Sequence, residues 1–230
     1  MVLRFVQPEW GTVRRAKWEL ESRQKEAIPE LIALLDRQEV VKLANTLDLI
    51  YPGAETFYGH GYIMPYDLDY IPARAGWALE ELTFENFGFK GSAIREDALF
   101  EATRRGQMDV PLSKVVPPDL TSREQRSGTA TAQVEAWWRA NAAGWTRLKA
   151  LRNALTSEDA DRQLRALSWL RWGTTRCDGL SPEVYARDLK PLAEKLAGSP
   201  NPGVKEQAQL LLRENNSWWS YKTDPELRDW

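Results

Sequence analysis

With 230 residues, 43% hydrophobic and 28% charged, the chain can bury a core and is too balanced in composition for wholesale disorder. Thirty-one basic residues against thirty-three acidic ones leave a net charge of −2, which argues against a duplex-binding protein with its positive stripe. One cysteine, Cys177, excludes an internal disulfide and a multi-cysteine zinc site, and one histidine, His60, removes most metal sites and most acid–base mechanisms.

No apolar run approaches the roughly 18 to 20 residues that span a bilayer. Met1 to Gly11 lacks the pattern of a secretory signal, so the cytoplasm is the expected compartment. Cys177 reads as a small, reduced, partly buried hydrophobe.

Helical periodicity opens the chain. Val13, Ala16, Trp18 and Leu20 predict a helix from Thr12 to about Glu26. The next runs from Ala27 to Leu35, with Pro29 in its first turn and Leu31, Leu34 and Leu35 on one face. Val40, Leu43, Ala44, Leu47 and Ile50 then predict a second helix face, antiparallel to the one before.

Residues 51–72 break the pattern. Their prolines, glycines and five tyrosines predict a structured loop. A second irregular excursion is expected over 90–130, set by Pro111, Pro117, Pro118 and Gly128, with one short helix at 93–104. Helical stretches are predicted at 132–155 and 158–172. Near the end, Leu189 to Ala197 is helical, Gly198 to Pro202 turns, and Gly203 to Glu214 is helical again. Trp218, Trp219 and Trp230 sit in a polar tail that reads as a capping segment.

Two sets of residues carry a resemblance to a known family. The run Ala78-Leu79-Glu80-Glu81-Leu82-Thr83, followed by the Phe87-Gly88 turn and later by Trp137-Trp138-Arg139-Ala140-Asn141, resembles the closing segment of bacterial HEAT-like helical-repeat proteins. Pro191, Leu192 and Leu196, then Asn201, Pro202, Val204, Ala208 and Leu212, look like one HEAT repeat. The resemblance implies an all-α fold, a HEAT-like α-solenoid or α-α superhelix. It would form one repeat domain over residues 1–230, with irregular insertions at about 51–72 and 90–130. In that family the phenylalanine-glycine turn and the tryptophan pair lie close in sequence, so the second insertion is a departure.

Catalytic constellations are thin. A triad would have to use His60, and no G-x-S-x-G elbow is present. His60, Asp67 and Asp69 have ligand chemistry, but D-x-D is common and no calcium-loop pattern follows. No glycine-rich run leads into a phosphate-binding lysine. The carboxylate pairs Glu80-Glu81, Glu96-Asp97 and Glu158-Asp159 diverge by about 100° on a helix, so they read as solvated. The last pair, with Ser157 or Thr156, reads as a helix cap.

Eleven tryptophans imply large aromatic anchors. Trp137, Trp138 and Trp145 are expected to lock one helix against its neighbours. Trp169 and Trp172, beside Ala166, lie away from Ala160, Leu164 and Leu167. That helix is either sandwiched between layers or meets a ligand on its aromatic side.

Charge is uneven: Asp48 to Phe89 holds seven acids and one base, Arg74, while Glu135 to Arg176 holds eight bases and four acids. Acids among tyrosines suit a basic protein partner. The expected function is a non-enzymatic protein-binding module, in the setting of an immunity-type inhibitor of a toxin or other basic partner. Its contacts would be Tyr58, His60, Tyr62, Tyr66, Asp67 and Asp69, without metal, cofactor or membrane, and with nucleic acid disfavoured. The enzyme alternative is a helical-repeat DNA glycosylase, whose groove would use Trp138, Arg139, Trp145, Arg147, Lys149 and Arg152.

Overall fold

Glu9 starts the first long helix by accepting from the amides of Gly11 at 2.9 Å and Thr12 at 2.6 Å. A carboxylate there satisfies orphan donors and complements the positive helix end. The computed structural model describes residues 2–37, 40–44, 66–89, 121–173 and 175–214. These are mostly helical, and none of their helices is long and apolar enough to cross a membrane.

A short α1 (Val2–Phe5) precedes α2 (Trp10–Ser22), which buries Val13, Ala16 and Leu20. A 3₁₀ turn (Gln24–Glu26) separates it from α3 (Ala27–Leu34), whose Leu31 and Leu34 are buried together with Leu35, as their spacing predicts.

The helix predicted from Val40 is instead a strand. β1 (Val40–Ala44) pairs antiparallel with β2 (Tyr66–Tyr70), in a register running from Val40 opposite Tyr70 to Ala44 opposite Tyr66. Two adjacent β-branched residues, Val40 and Val41, are stiff and favour extended chain. Tyr-Asp-Leu-Asp-Tyr alternates with the period of two that marks a strand. Leu47 and Ile50, on the expected helix face, lie outside the described residues. The loop expected over 51–72 is corrected at its end: 66–70 form β2, and Ile71 and Pro72 open α4 (Ile71–Thr83). Proline suits that first turn, where its missing N–H costs least.

Residues 90–120, with the short helix expected at 93–104, lie outside the described residues. The excursion was expected to reach residue 130, yet α5 (Thr121–Asn141) is helical throughout. Past Pro118 no proline interrupts, and Arg123 to Arg126 are good helix formers. A 3₁₀ turn (Ala142–Gly144) then breaks the single stretch predicted over 132–155, before α6 (Arg147–Leu155).

Side-chain caps open α6 and three later helices. Thr146 caps α6 by accepting from the Lys149 amide at 3.2 Å. Asp159, rather than Ser157 or Thr156, caps α7 (Ala160–Trp172), accepting from Asp161 at 2.8 Å and Arg162 at 3.3 Å. Ser181 caps α8 (Pro182–Val184), which continues through a π-helical stretch (Tyr185–Leu189) into α9 (Lys190–Leu196). That helical run therefore begins before the predicted Leu189. Asn201 caps α10 (Pro202–Arg213) at 3.1 Å, with Pro202 in its first turn. The proposed capping residues Trp218, Trp219 and Trp230 lie outside the described residues.

Two compact units are distinguishable. The first gathers the described residues of Met1–Leu20, Ile28–Ala78 and Phe87–Ala140. Its core includes Phe5, Val13, Ile28, Leu31, Ile71 and Val134. Arg74 is wholly buried there, donating to the carbonyls of Phe5 and Gln7 with its guanidinium 5.8 Å from the Phe5 ring centroid. Trp77 Nε1 donates to the Phe89 carbonyl. Gly76 makes room for the Phe89 ring, into which a Cβ would collide. Gly88 turns with φ +83°, and Phe87 meets Trp137 edge-on at 5.4 Å, with Trp138 stacked beyond it at 5.9 Å. The phenylalanine-glycine turn and the tryptophan pair thus come together despite their separation in sequence.

The second unit gathers the described residues of Glu21–Ala27, Leu79–Asn86 and Asn141–Trp230. In it α6 packs on α7 and α9 on α10, while α7 packs on α10 and α6 on α9. The turn between α6 and α7 is so short that the two helices must run antiparallel. Leu151, Leu167, Leu170, Ala193, Val204 and Ala208 fill the seams.

Candidate functional site

Of the six expected contact residues, Tyr58, His60 and Tyr62 lie outside the described residues. Tyr66, Asp67 and Asp69 lie on β2, with Asp67 opposite Leu43 and Asp69 opposite Val41. They occupy a hydrogen-bonded strand rather than a loop. That strand runs directly into α4, whose first residues Ile71 and Pro72 are buried.

The densest chemistry lies in the second unit, around Arg147. Thr83 ends α4 with its hydroxyl donating to the Leu79 carbonyl at 2.7 Å and accepting from the Glu85 amide at 3.3 Å. Phe84 follows with φ 58°, the left-handed conformation that glycine usually supplies after a helix. Such backbone costs a bulky residue of order 1–3 kcal/mol. The offset is burial: Phe84 has no exposed surface, and its ring meets Trp169 edge-on at 5.7 Å.

Arg147 faces both rings, its guanidinium 5.5 Å from the Phe84 centroid and 4.9 Å from that of Trp169. Its Nη1 donates to Thr175 Oγ1 at 2.8 Å and to the Arg176 carbonyl at 3.0 Å. Trp169 Nε1 donates to the same hydroxyl at 3.1 Å. Glu21 Oε2 stands 4.0 Å from Nη2. Burial pushes the Arg147 pKa below its ordinary value, and the charges of Glu21, Cys177 and Glu81 oppose that shift. A guanidinium stays protonated in proteins, so this group supplies fixed charge and no proton transfer. Cys177 is itself buried, as expected.

Carboxylates flank this centre. Glu80 is paired with Arg165 at 2.8 Å, and Glu85 with Arg162 at 2.8 Å. Arg162 Nε also donates to the Phe84 carbonyl at 3.3 Å. Asn86 Nδ2 donates to Asp159 at 3.2 Å and to Asp161 at 3.3 Å. Glu80 was expected to be solvated; it is buried, because the arginine on α7 neutralises it. Burial raises the Asp159 pKa, but the hydrogen bond from Asn86, the amides of Arg162 and Asp161 and the Arg162 charge outweigh it, leaving a net lowering.

The two tryptophans of α7 part company. Trp169 is sandwiched, whereas Trp172 is exposed with the Arg171 guanidinium 4.7 Å from its ring centroid. In the groove expected of a glycosylase, Arg147 is buried beneath rings, Trp145 is buried, and Arg152 is paired with Asp188, which Arg187 also contacts. Lys149 is exposed. In the first unit Arg139 is exposed and Trp138 is half-buried against Trp137. Among the described residues no three His, Cys, Asp or Glu side chains gather as a metal site.

The two charge-biased stretches stand apart in the sequence, and the fold pairs them. The signal was present, since the acids at 80 and 85 have arginines at 165 and 162 as their complement. No family model, curated protein or solved structure matches the chain.

Proposed function

We propose that the chain is a non-enzymatic protein-binding module on a HEAT-like helical-repeat scaffold, whose acid- and tyrosine-bearing segment ending in β2 takes a partner with a basic surface. An immunity-type inhibitor of a toxin is the biological setting that fits. Support for the scaffold comes from the second unit, where one helix pair packs on the next, first helix to first and second to second. The observation that carries the recognition reading is the position of Asp67 and Asp69. They sit on a paired strand leading without interruption into a buried helix, so contact residues would be held by a rigid element. Nothing about Arg147 favours the glycosylase alternative, because a wholly buried cation is withdrawn from any phosphate.

The test is capture from extract of the native cell by the wild-type chain and by Asp67→Lys/Asp69→Lys. A protein retained by the first and released by the second, at unchanged helicity, is the expected result. Equal retention by both refutes the assignment. Salt-sensitive binding of duplex DNA by the wild type at low ionic strength would instead favour the glycosylase.

A further inference from the structure

Within the second unit, the carboxylate of Asp188 gathers two arginines. Arg187 Nε donates to Asp188 Oδ1 at 2.8 Å and Arg187 Nη2 to Oδ2 at 2.9 Å, while Arg152 Nη2, from α6, donates to the same Oδ2. Arg187 and Asp188 are neighbours in sequence, and a regular α-helix turns such side chains about 100° apart, so they do not face each other. Both belong to the π-helical stretch Tyr185–Leu189, whose i→i+5 turn departs from that spacing. Single π turns of this kind recur at functional sites. The carboxylate is 18% exposed, whereas the side chains of Arg152 and Arg187 are 42% and 70% exposed. Each guanidinium has five N–H donors. Arg152 gives one of them to Asp188 and Arg187 gives two, and among the described residues these side chains make no other hydrogen bond. Exposed ion pairs contribute only about 0–1 kcal/mol, so stability gives little reason for a second arginine on one carboxylate.

We propose that Arg152 and Arg187 form a binding site for a phosphate group. Planar guanidinium forks match the spacing of phosphate oxygens, and two of them side by side suit a group that carries nearly two negative charges. Asp188 offsets one of the two cations and leaves the cluster at +1. Two arginines suit a single phosphate rather than the run of phosphates on a duplex. The chain's net charge of −2 supplies no general attraction for anions, so binding would depend on this cluster. The site is independent of whatever binds at β2.

Calorimetric titration of the full chain with inorganic phosphate at low ionic strength tests it, beside sedimentation with phosphatidate vesicles. Saturable binding of at least one probe is expected. Arg187→Gln and Arg152→Gln should each weaken it about tenfold, since each removes charge-assisted bonds, and the double variant should abolish it. Lys205→Gln, which removes an exposed cation from α10, should leave it unchanged. Binding of phosphate alone identifies a free solute as the source of the group, and binding of vesicles alone identifies a lipid headgroup. Failure of both probes overturns the proposal. So does equal weakening by Lys205→Gln, which would mark diffuse attraction rather than a site. Since Arg187 is largely exposed, its replacement leaves the helix core in place.

Discussion

Tyr66–Tyr70 and Leu79–Asn86 belong to one acid-rich stretch of the chain, yet their acids meet different fates. In the later segment Glu80 and Glu85 close on Arg165 and Arg162, and Phe84 between them lies against Arg147. In the earlier one, Asp67 and Asp69 are positions on a two-stranded ladder, opposite Leu43 and Val41. A count of charges treats the two segments alike. Topology separates an acid that closes on an arginine from one whose place is set by a strand register.

The largest expected effect comes from removing the cation on which the later segment closes. Arg147→Ala should cost about 3–5 kcal/mol by urea unfolding, since it removes a buried guanidinium that bonds Thr175 and the Arg176 carbonyl, packs on two rings and faces Glu21. Replacing both residues, as in Arg147→Met/Glu21→Met, should recover part of that loss, because an apolar pair carries no desolvation penalty. A double variant as unstable as Arg147→Ala would show that the rings, and not the charges, set the cost.

Glu80→Gln should come next, at about 1–3 kcal/mol. Arg165 would lose its carboxylate, but its partial exposure lets water compensate. The same unfolding measurement checks this, and an effect near zero would show that the buried pair adds no net stability.

Asp159→Ala removes the cap of α7 and should cost about 1 kcal/mol at pH 7. This contribution depends on pH in a defined direction. The folded pKa lies below the unfolded value of about 3.9, so the stabilisation is fully present above that value. It is lost as pH falls through the folded pKa. The gap between the wild type and the variant should therefore stay constant from pH 7 to 5 and shrink below about pH 4. A gap that shrinks first near neutrality would contradict the assignment.

Much of the second unit was legible in the sequence. Asn201 and Pro202 announced α10, and Val204 and Ala208 at four-residue steps marked its buried face. Asp159 could be read as a capping acid because its environment is local. The first unit misled where two periods compete: Val40, Leu43, Ala44, Leu47 and Ile50 fit a helix face, but Val40-Val41 pairs with a partner more than twenty residues later. The local signals, Val40-Val41 and the alternation over 66–70, favour extended chain, but the pairing that fixes them is non-local. Arg147 reads in the sequence as a groove cation, and its buried role is hidden for a similar reason. Its partners come from residues 21, 84, 169 and 175, so only the folded chain brings them together.

The most direct measurement compares two variants for partner bound per folded molecule. Asp67→Lys/Asp69→Lys should abolish binding per folded molecule. Glu80→Gln should lower stability and leave binding per folded molecule unchanged. Binding lost in Glu80→Gln but retained in the strand variant would contradict the division between the two acid groups.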